Sequence, residues 1–188
     1  MPSDPSVLAV EEYRALRATI RQRGTVRLVV AAITFVAWGA LALAVATWAS
    51  VPALALIPLL VLAGGFEVTF AAHVGVERIG RYVQTHFETS GGAAPMWERL
   101  AMELGPQAGA GSGVDVLFTP IFVLATILNM LPAVLLSLTG GPTLPGGVPL
   151  EVAIYGLLHV LFLGRIYQSR RFAASQRERD LDLFKSHQ

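Results

Sequence analysis

Glu67 stands in the apolar run PALALIPLLVLAGGFEVTFAAHV, 52–74, with no cation within five residues of it in sequence. A carboxylate there is protonated, faces water or meets a partner, because a bare charge at a bilayer centre costs roughly 2.5–3.5 kcal/mol on insertion scales. His159 stands in a second such run, VPLEVAIYGLLHVLFLGRIY, 148–167. Counted along each run at 1.5 Å per residue, Glu67 lies about 22 Å and His159 about 16 Å from the same edge. A Glu67–His159 contact is the pairing expected from this spacing. Thr69, Thr126, Asn129 and Tyr155 are the polar side chains that would complete a cluster around it. Such a cluster supports two kinds of chemistry. It is a proton or cation site with His159 as its pH-sensitive neighbour, or it is interhelical hydrogen-bond glue.

A second set gathers where the apolar runs meet charge: His73, Glu77, Arg78, Arg81, Asp115 and Arg165. Glu77 and Arg81 form a favourable i,i+4 pair, with the acid on the N-terminal side. Asp115 has Arg78, Arg81 and Arg165 as candidate partners, and the set reads as a salt-bridge collar. His73 and His159 are the candidates for a bis-histidine haem b. Their depths differ by about 15 Å on the same helical count, which argues against a shared iron. Arg81 in the His73, Glu77, Arg81 stripe would repel a metal ion, so no metal site is expected. No HExxH, serine-centred nucleophile elbow or catalytically spaced carboxylate pair occurs, so the residues do not argue for an enzyme. The glycines of PQAGAGSG, 106–113, are followed by no GKS or GKT, and read as a linker and not a nucleotide loop.

The elements that must position these residues are helices in a membrane. The chain is 54% hydrophobic and only 14% charged, where a soluble domain is about 25% charged. There are no cysteines, which excludes disulfides, iron–sulfur ligation and thiol catalysis. Spanning a bilayer takes roughly 20 apolar residues in a helix. Four segments are expected to do so: 28–48, 52–74, 114–138 and 148–167. The first begins behind a polar segment longer than the n-region of a signal peptide, and reads as a retained span. Pro58, Pro120 and Pro132 would each interrupt hydrogen bonding within a span. Such points can be hinges, but proline is common in membrane helices and only a kink beside a cavity would make one a hinge.

All 14 Lys and Arg fall before the first span, between the second and third, or from Arg165, at the inner end of the fourth, onward. The two other connections carry none. This distribution places both termini on the cytoplasmic side. The fold class expected is an all-α integral membrane protein with four transmembrane helices, both termini inside, and amphipathic cytoplasmic helices.

Residues 1–24 read as a basic amphipathic cytoplasmic helix, with Tyr13, Leu16 and Ile20 on one face and Arg14, Arg17 and Arg21 beside it. Gly24 is the expected break before the membrane domain, 25–168. Such a helix lies in the interface among anionic headgroups. The second helix is expected to continue past the apolar run to about residue 88, within the cytoplasmic connection 75–113. Residues 169–188 form a charged tail.

The function expected is that of a structural, scaffolding or accessory component of a membrane complex. Its partners would be lipid, copies of itself or other membrane proteins, and no nucleic acid. The alternatives are an oligomeric proton or cation channel or ion-coupled transporter using Glu67, and a haem b-carrying anchor. The location expected is a bacterial cytoplasmic membrane.

Overall fold

The computed structural model describes residues 5–48, 52–88, 97, 98, 100, 117–137 and 150–186. These are helical almost throughout. Helix α1 runs from Pro5 to Trp48 and a 3-10 turn from Pro52 to Ala55. Helix α2 follows directly, Leu56–His86. Helix α3 covers Thr119–Ser137 and helix α4 Leu150–Lys185. Three stretches are long and apolar enough to cross a membrane: Val7–Trp48, Ala53–His86 and Val152–Phe184. In α3 the described apolar stretch is shorter, Thr119–Leu131.

Helix α1 packs along α2, α2 along α4, and α4 against α3, which also meets the 3-10 turn. One aromatic side chain sits at the junction. The buried Phe66 of α2 lies edge-on to Phe122 of α3 at 5.2 Å and to Phe162 of α4 at 5.9 Å between ring centroids. Phe35 of α1 meets Phe122 from the other side at 4.8 Å. Edge-to-face pairs of this kind add about 0.5–1.5 kcal/mol each beyond the area they bury. Leu59, Leu62, Phe70, Ala125 and Ile166 fill the space around them.

The approach of α1 to α2 depends on Gly65. A Cβ placed there would lie 2.0 Å from Thr34 Oγ1 and 2.6 Å from Thr34 Cβ. Thr34 returns its hydroxyl to its own helix, donating to the Val30 carbonyl at 2.7 Å. The two backbones are therefore held closer than any residue with a Cβ at 65 would permit.

Three expectations about helix limits are corrected. Helix α1 does not break at Gly24 but continues through it. A helical glycine costs roughly 1 kcal/mol, and contacts on both sides offset this: Tyr13 packs on Phe87 at 5.6 Å and Arg27 reaches His73. Residues 5–24 are therefore no separate surface helix; their Tyr13 face packs on the end of α2.

Pro58 and Pro120 do not interrupt helices either. Each lies in the first turn, at the third position of α2 and the second of α3, where a missing N–H breaks no intrahelical bond. Pro132 lies inside α3. Helix α3 also starts later than the expected 114, at Thr119, because Phe118 turns the chain with φ of 51°. Its carbonyl accepts the N–H groups of Ile121 and Phe122, both at 3.0 Å.

Candidate functional site: interhelical polar ties

The carboxylate of Glu67 faces the guanidinium of Arg165 on α4. Arg165 donates from Nε to Oε1 and from Nη2 to Oε2, both at 2.7 Å. This parallel two-bond fork is the strong geometry for the pair. The same guanidinium lies over the Phe70 ring at 5.2 Å, a cation–π contact that further fixes it. The Glu67–His159 pairing expected from axial spacing is thus corrected: the partner is Arg165. On the same helical count Arg165 lies about 26 Å along its run, nearer to the 22 Å of Glu67 than His159 is. The sequence carries that signal too, although the position of Arg165 at the charged end of its run also places it in the collar. The pair is half-exposed on the side of the bundle, with 45% of the Glu67 side chain and 41% of Arg165 accessible.

His159 belongs to a different cluster. The Trp38 indole on α1 donates from Nε1 to Asn129 Oδ1 at 3.1 Å. Indole N–H is a donor only, so this contact fixes which end of the Asn129 amide is oxygen. The amide nitrogen then donates to the Ala55 carbonyl at 3.0 Å and to His159 Nε2 at 3.1 Å. His159 Nε2 must accept, so the imidazole is neutral with its proton on Nδ1. That proton goes to the Tyr155 carbonyl at 2.6 Å, one turn back on α4. One buried amide therefore ties α1, α3, α4 and the 3-10 turn together.

Of the remaining residues of the expected polar cluster, the side chains of Thr69 and Thr126 form no hydrogen bond to it among the described residues, whereas Tyr155 takes part through its backbone. Thr69 is fully buried and its hydroxyl has no hydrogen-bond partner among the described residues. Thr126 donates to the Phe122 carbonyl of its own helix at 2.6 Å. Tyr155 contributes its backbone carbonyl. Trp38 and the Ala55 carbonyl went unrecognised in the sequence. An indole in an apolar run reads as packing, and a turn carbonyl has no side-chain signature.

At the charged ends the collar takes another form. Arg81 is 2% exposed and donates to Glu77 at 3.0 Å and to Asp180 of α4 at 3.1 Å. Arg78 also faces Asp180, at 3.8 Å. His73 accepts from Arg27 of α1 at 3.4 Å through Nδ1. Asp115 lies outside the described residues.

A second charged knot was not anticipated. Arg17 of α1 meets Glu98, and meets the fully buried Glu88 at 3.3 Å, while the Glu98 backbone N–H donates to Glu88 at 3.0 Å. Burial works against the Arg17 charge, but the Tyr13 hydroxyl and the Glu98 carboxylate favour it, and the guanidinium pKa ends above its ordinary value. Tyr82 donates to Glu12 of α1 at 3.0 Å. That bond, more than burial, raises its phenol above the usual pKa. Tyr82 also packs on Phe184 of α4 at 5.7 Å. The N-terminal part of α1 and the C-terminal parts of α2 and α4 are therefore joined beyond the apolar stretches.

Chemically, this arrangement binds helices. Neither histidine weighed as a haem ligand is unengaged: both His159 nitrogens are hydrogen-bonded and His73 Nδ1 faces Arg27. Among the described residues no three His, Asp or Glu side chains converge as metal ligands. Comparison with family models, with curated proteins and with solved structures gave no match.

Proposed function

We propose that the chain is a four-span membrane protein with both termini on the cytoplasmic side, acting as a structural or accessory component that presents a helical platform at the membrane surface. The observation that carries this is an inside-out distribution of side chains. Thr34, Thr69, Thr126, Asn129 and His159 are buried. Large apolar residues face outward on every helix, among them Val36 at 74%, Leu60 at 70%, Leu124 at 56% and Val160 at 63% accessible. An apolar surface running around a bundle suits hydrocarbon, whereas soluble monomers rarely expose contiguous apolar patches beyond a few hundred Å². Interior polar groups that hydrogen-bond between helices are the usual complement.

Helix α1, with 44 residues, is about 66 Å long, and α4, with 36, about 54 Å. Both exceed a hydrocarbon core of about 30 Å. Their surplus is the charged, mutually packed end described above. With all Lys and Arg at that end of the spans, the cytoplasm is the side it occupies. Glu67 is engaged by Arg165, which supports a structural role for it over a proton or cation site.

The test is the size of the assembly extracted from native membranes in mild detergent. Arg171→Glu with Arg179→Glu, on exposed positions of the α4 extension, is expected to release the partner, while Glu67→Gln keeps it. An assembly unchanged by the α4 substitutions sinks the platform reading.

A further inference from the structure

The cations at the boundary between apolar and charged chain are not all engaged. Arg14 pairs with Glu11, Arg17 with Glu88 and Glu98, Arg81 with Glu77 and Asp180, and Arg165 with Glu67. Arg23 and Arg27 of α1 form no ion pair with any carboxylate among the described residues. Both face α2 at one level. Arg27 Nη1 donates only to the His73 ring, at 3.4 Å, and Arg27 Nε is buried without a hydrogen-bond partner. The guanidinium of Arg23 lies over α2 at Gly75, with Nη1 1.9 Å from where a Cβ would be. The missing side chain makes the notch in which that guanidinium sits. Glu77 is the nearby acid, and its carboxylate accepts from Arg81 at 3.0 Å. Burial pushes the Arg27 pKa down, with Glu77 only partly opposing the shift.

A half-buried guanidinium with an orphaned N–H, beside a second unpaired guanidinium, lacks an anion. Its position identifies the source. Arg27 is the last charged residue before the uncharged stretch of α1, which begins at Leu28. His73 and Gly75 mark the same transition on α2, since Glu77 is the next charged residue. This level is that of lipid headgroups. We propose that Arg23 and Arg27, with the Gly75 notch between α1 and α2, form a site for the phosphate of an acidic phospholipid. Guanidinium forks match phosphate oxygens. A net negative headgroup compensates the site where a zwitterionic one brings its own ammonium. The inference rests on the reading that α1 and α2 cross the membrane, and it differs from a general attraction to basic residues in naming which arginines are committed elsewhere.

The experiment uses the full chain in zwitterionic lipid nanodiscs, titrated with phosphatidylglycerol. Retained lipid is read by native mass spectrometry and thermal stability is followed alongside. The parent is expected to hold one acidic lipid against exchange. Arg23→Gln with Arg27→Gln should weaken that binding roughly tenfold or more, as loss of charge-assisted bonds requires. Arg23→Gln alone, at an exposed side chain, should weaken it several-fold without loss of helicity, and Arg21→Gln should change nothing. Retention by the double variant equal to that of the parent overturns the site. Equal stabilisation of the parent by inorganic phosphate without acidic lipid overturns the lipid assignment in favour of a free anion. An alkaline carbonate wash of native membranes is run in parallel. Release of the chain without detergent would reject the membrane reading itself, independently of the lipid result.

Discussion

At the scale of single residues, the side chain that decides most is Asn129. Its oxygen and its nitrogen are both committed, and its orientation sets the tautomer of His159. Asn129→Ala would leave the Trp38 N–H and the Ala55 carbonyl unpaired in the interior. The expected loss of stability is about 1–3 kcal/mol, the cost of orphaning buried polar groups, read by thermal or denaturant unfolding in detergent. A stability within error of the parent would show that the amide ties nothing.

Tyr82 provides a pH test outside the spans. Its hydrogen bond to the Glu12 carboxylate, together with burial, raises the phenol above its ordinary value. A group whose folded pKa is raised contributes stability that is complete below the unfolded pKa and is lost as pH rises through the folded one. The contribution of Tyr82 should therefore persist at neutral pH and disappear in the alkaline range above about 10. An ultraviolet titration should show one tyrosine ionising after the others, and Glu12→Gln should bring it back toward them. A late-ionising tyrosine that ignores Glu12→Gln contradicts the assignment.

Residue types were legible from sequence further than their partners were. Asn129 and His159 stood out as polar side chains in apolar runs, and they do meet. Glu67 stood out for the same reason, yet its partner was misplaced. Axial depth counts residues along one helix, while contact also needs the rotation of each helix about its axis. Packing, such as that around Phe66, sets that rotation.

At the scale of elements, the closest contact is that of α1 and α2 at Gly65. Gly65→Ala forces a Cβ against Thr34, and overpacking of this kind costs about 1–3 kcal/mol. Thr34→Ala should relieve it only in part, because the Thr34 Cβ itself lies 2.6 Å from the added atom. Unfolding of the two single variants and the double variant would show this. A fully additive pair would mean that the two residues do not touch.

Element type followed from composition, since long apolar runs without alternation leave helices as the spanning form. Element limits did not follow so directly. Gly24 read as a break and Pro58 and Pro120 as interruptions, on rules for an isolated chain. Tertiary contacts on both sides carry α1 through Gly24, and first-turn placement makes the prolines harmless.

At the scale of the whole molecule, polar side chains tie the helices together inside while large apolar residues face outward, the distribution on which the proposed membrane setting rests. The long charged ends of α1, α2 and α4 are bound to one another by Arg81, Asp180, Arg17, Glu88 and Tyr82, so they form one surface and not three loose tails. Loss of the Arg81–Asp180 bond should loosen α4 from α2 at that end. Asp180→Asn is expected to raise amide exchange in 178–186 of α4 while exchange in 152–166 stays unchanged. Unaltered exchange throughout would mean that the pair does not hold the ends together.

The central claim is that Glu67 fastens α2 to α4 and carries no ion. Proton and cation flux in proteoliposomes, measured for the parent and for Glu67→Gln at matched orientation and helicity, tests it most directly. The account predicts no flux above protein-free vesicles for either protein, with Glu67→Gln less stable. A flux in the parent that Glu67→Gln abolishes would contradict it and place an ion pathway at the Glu67–Arg165 pair.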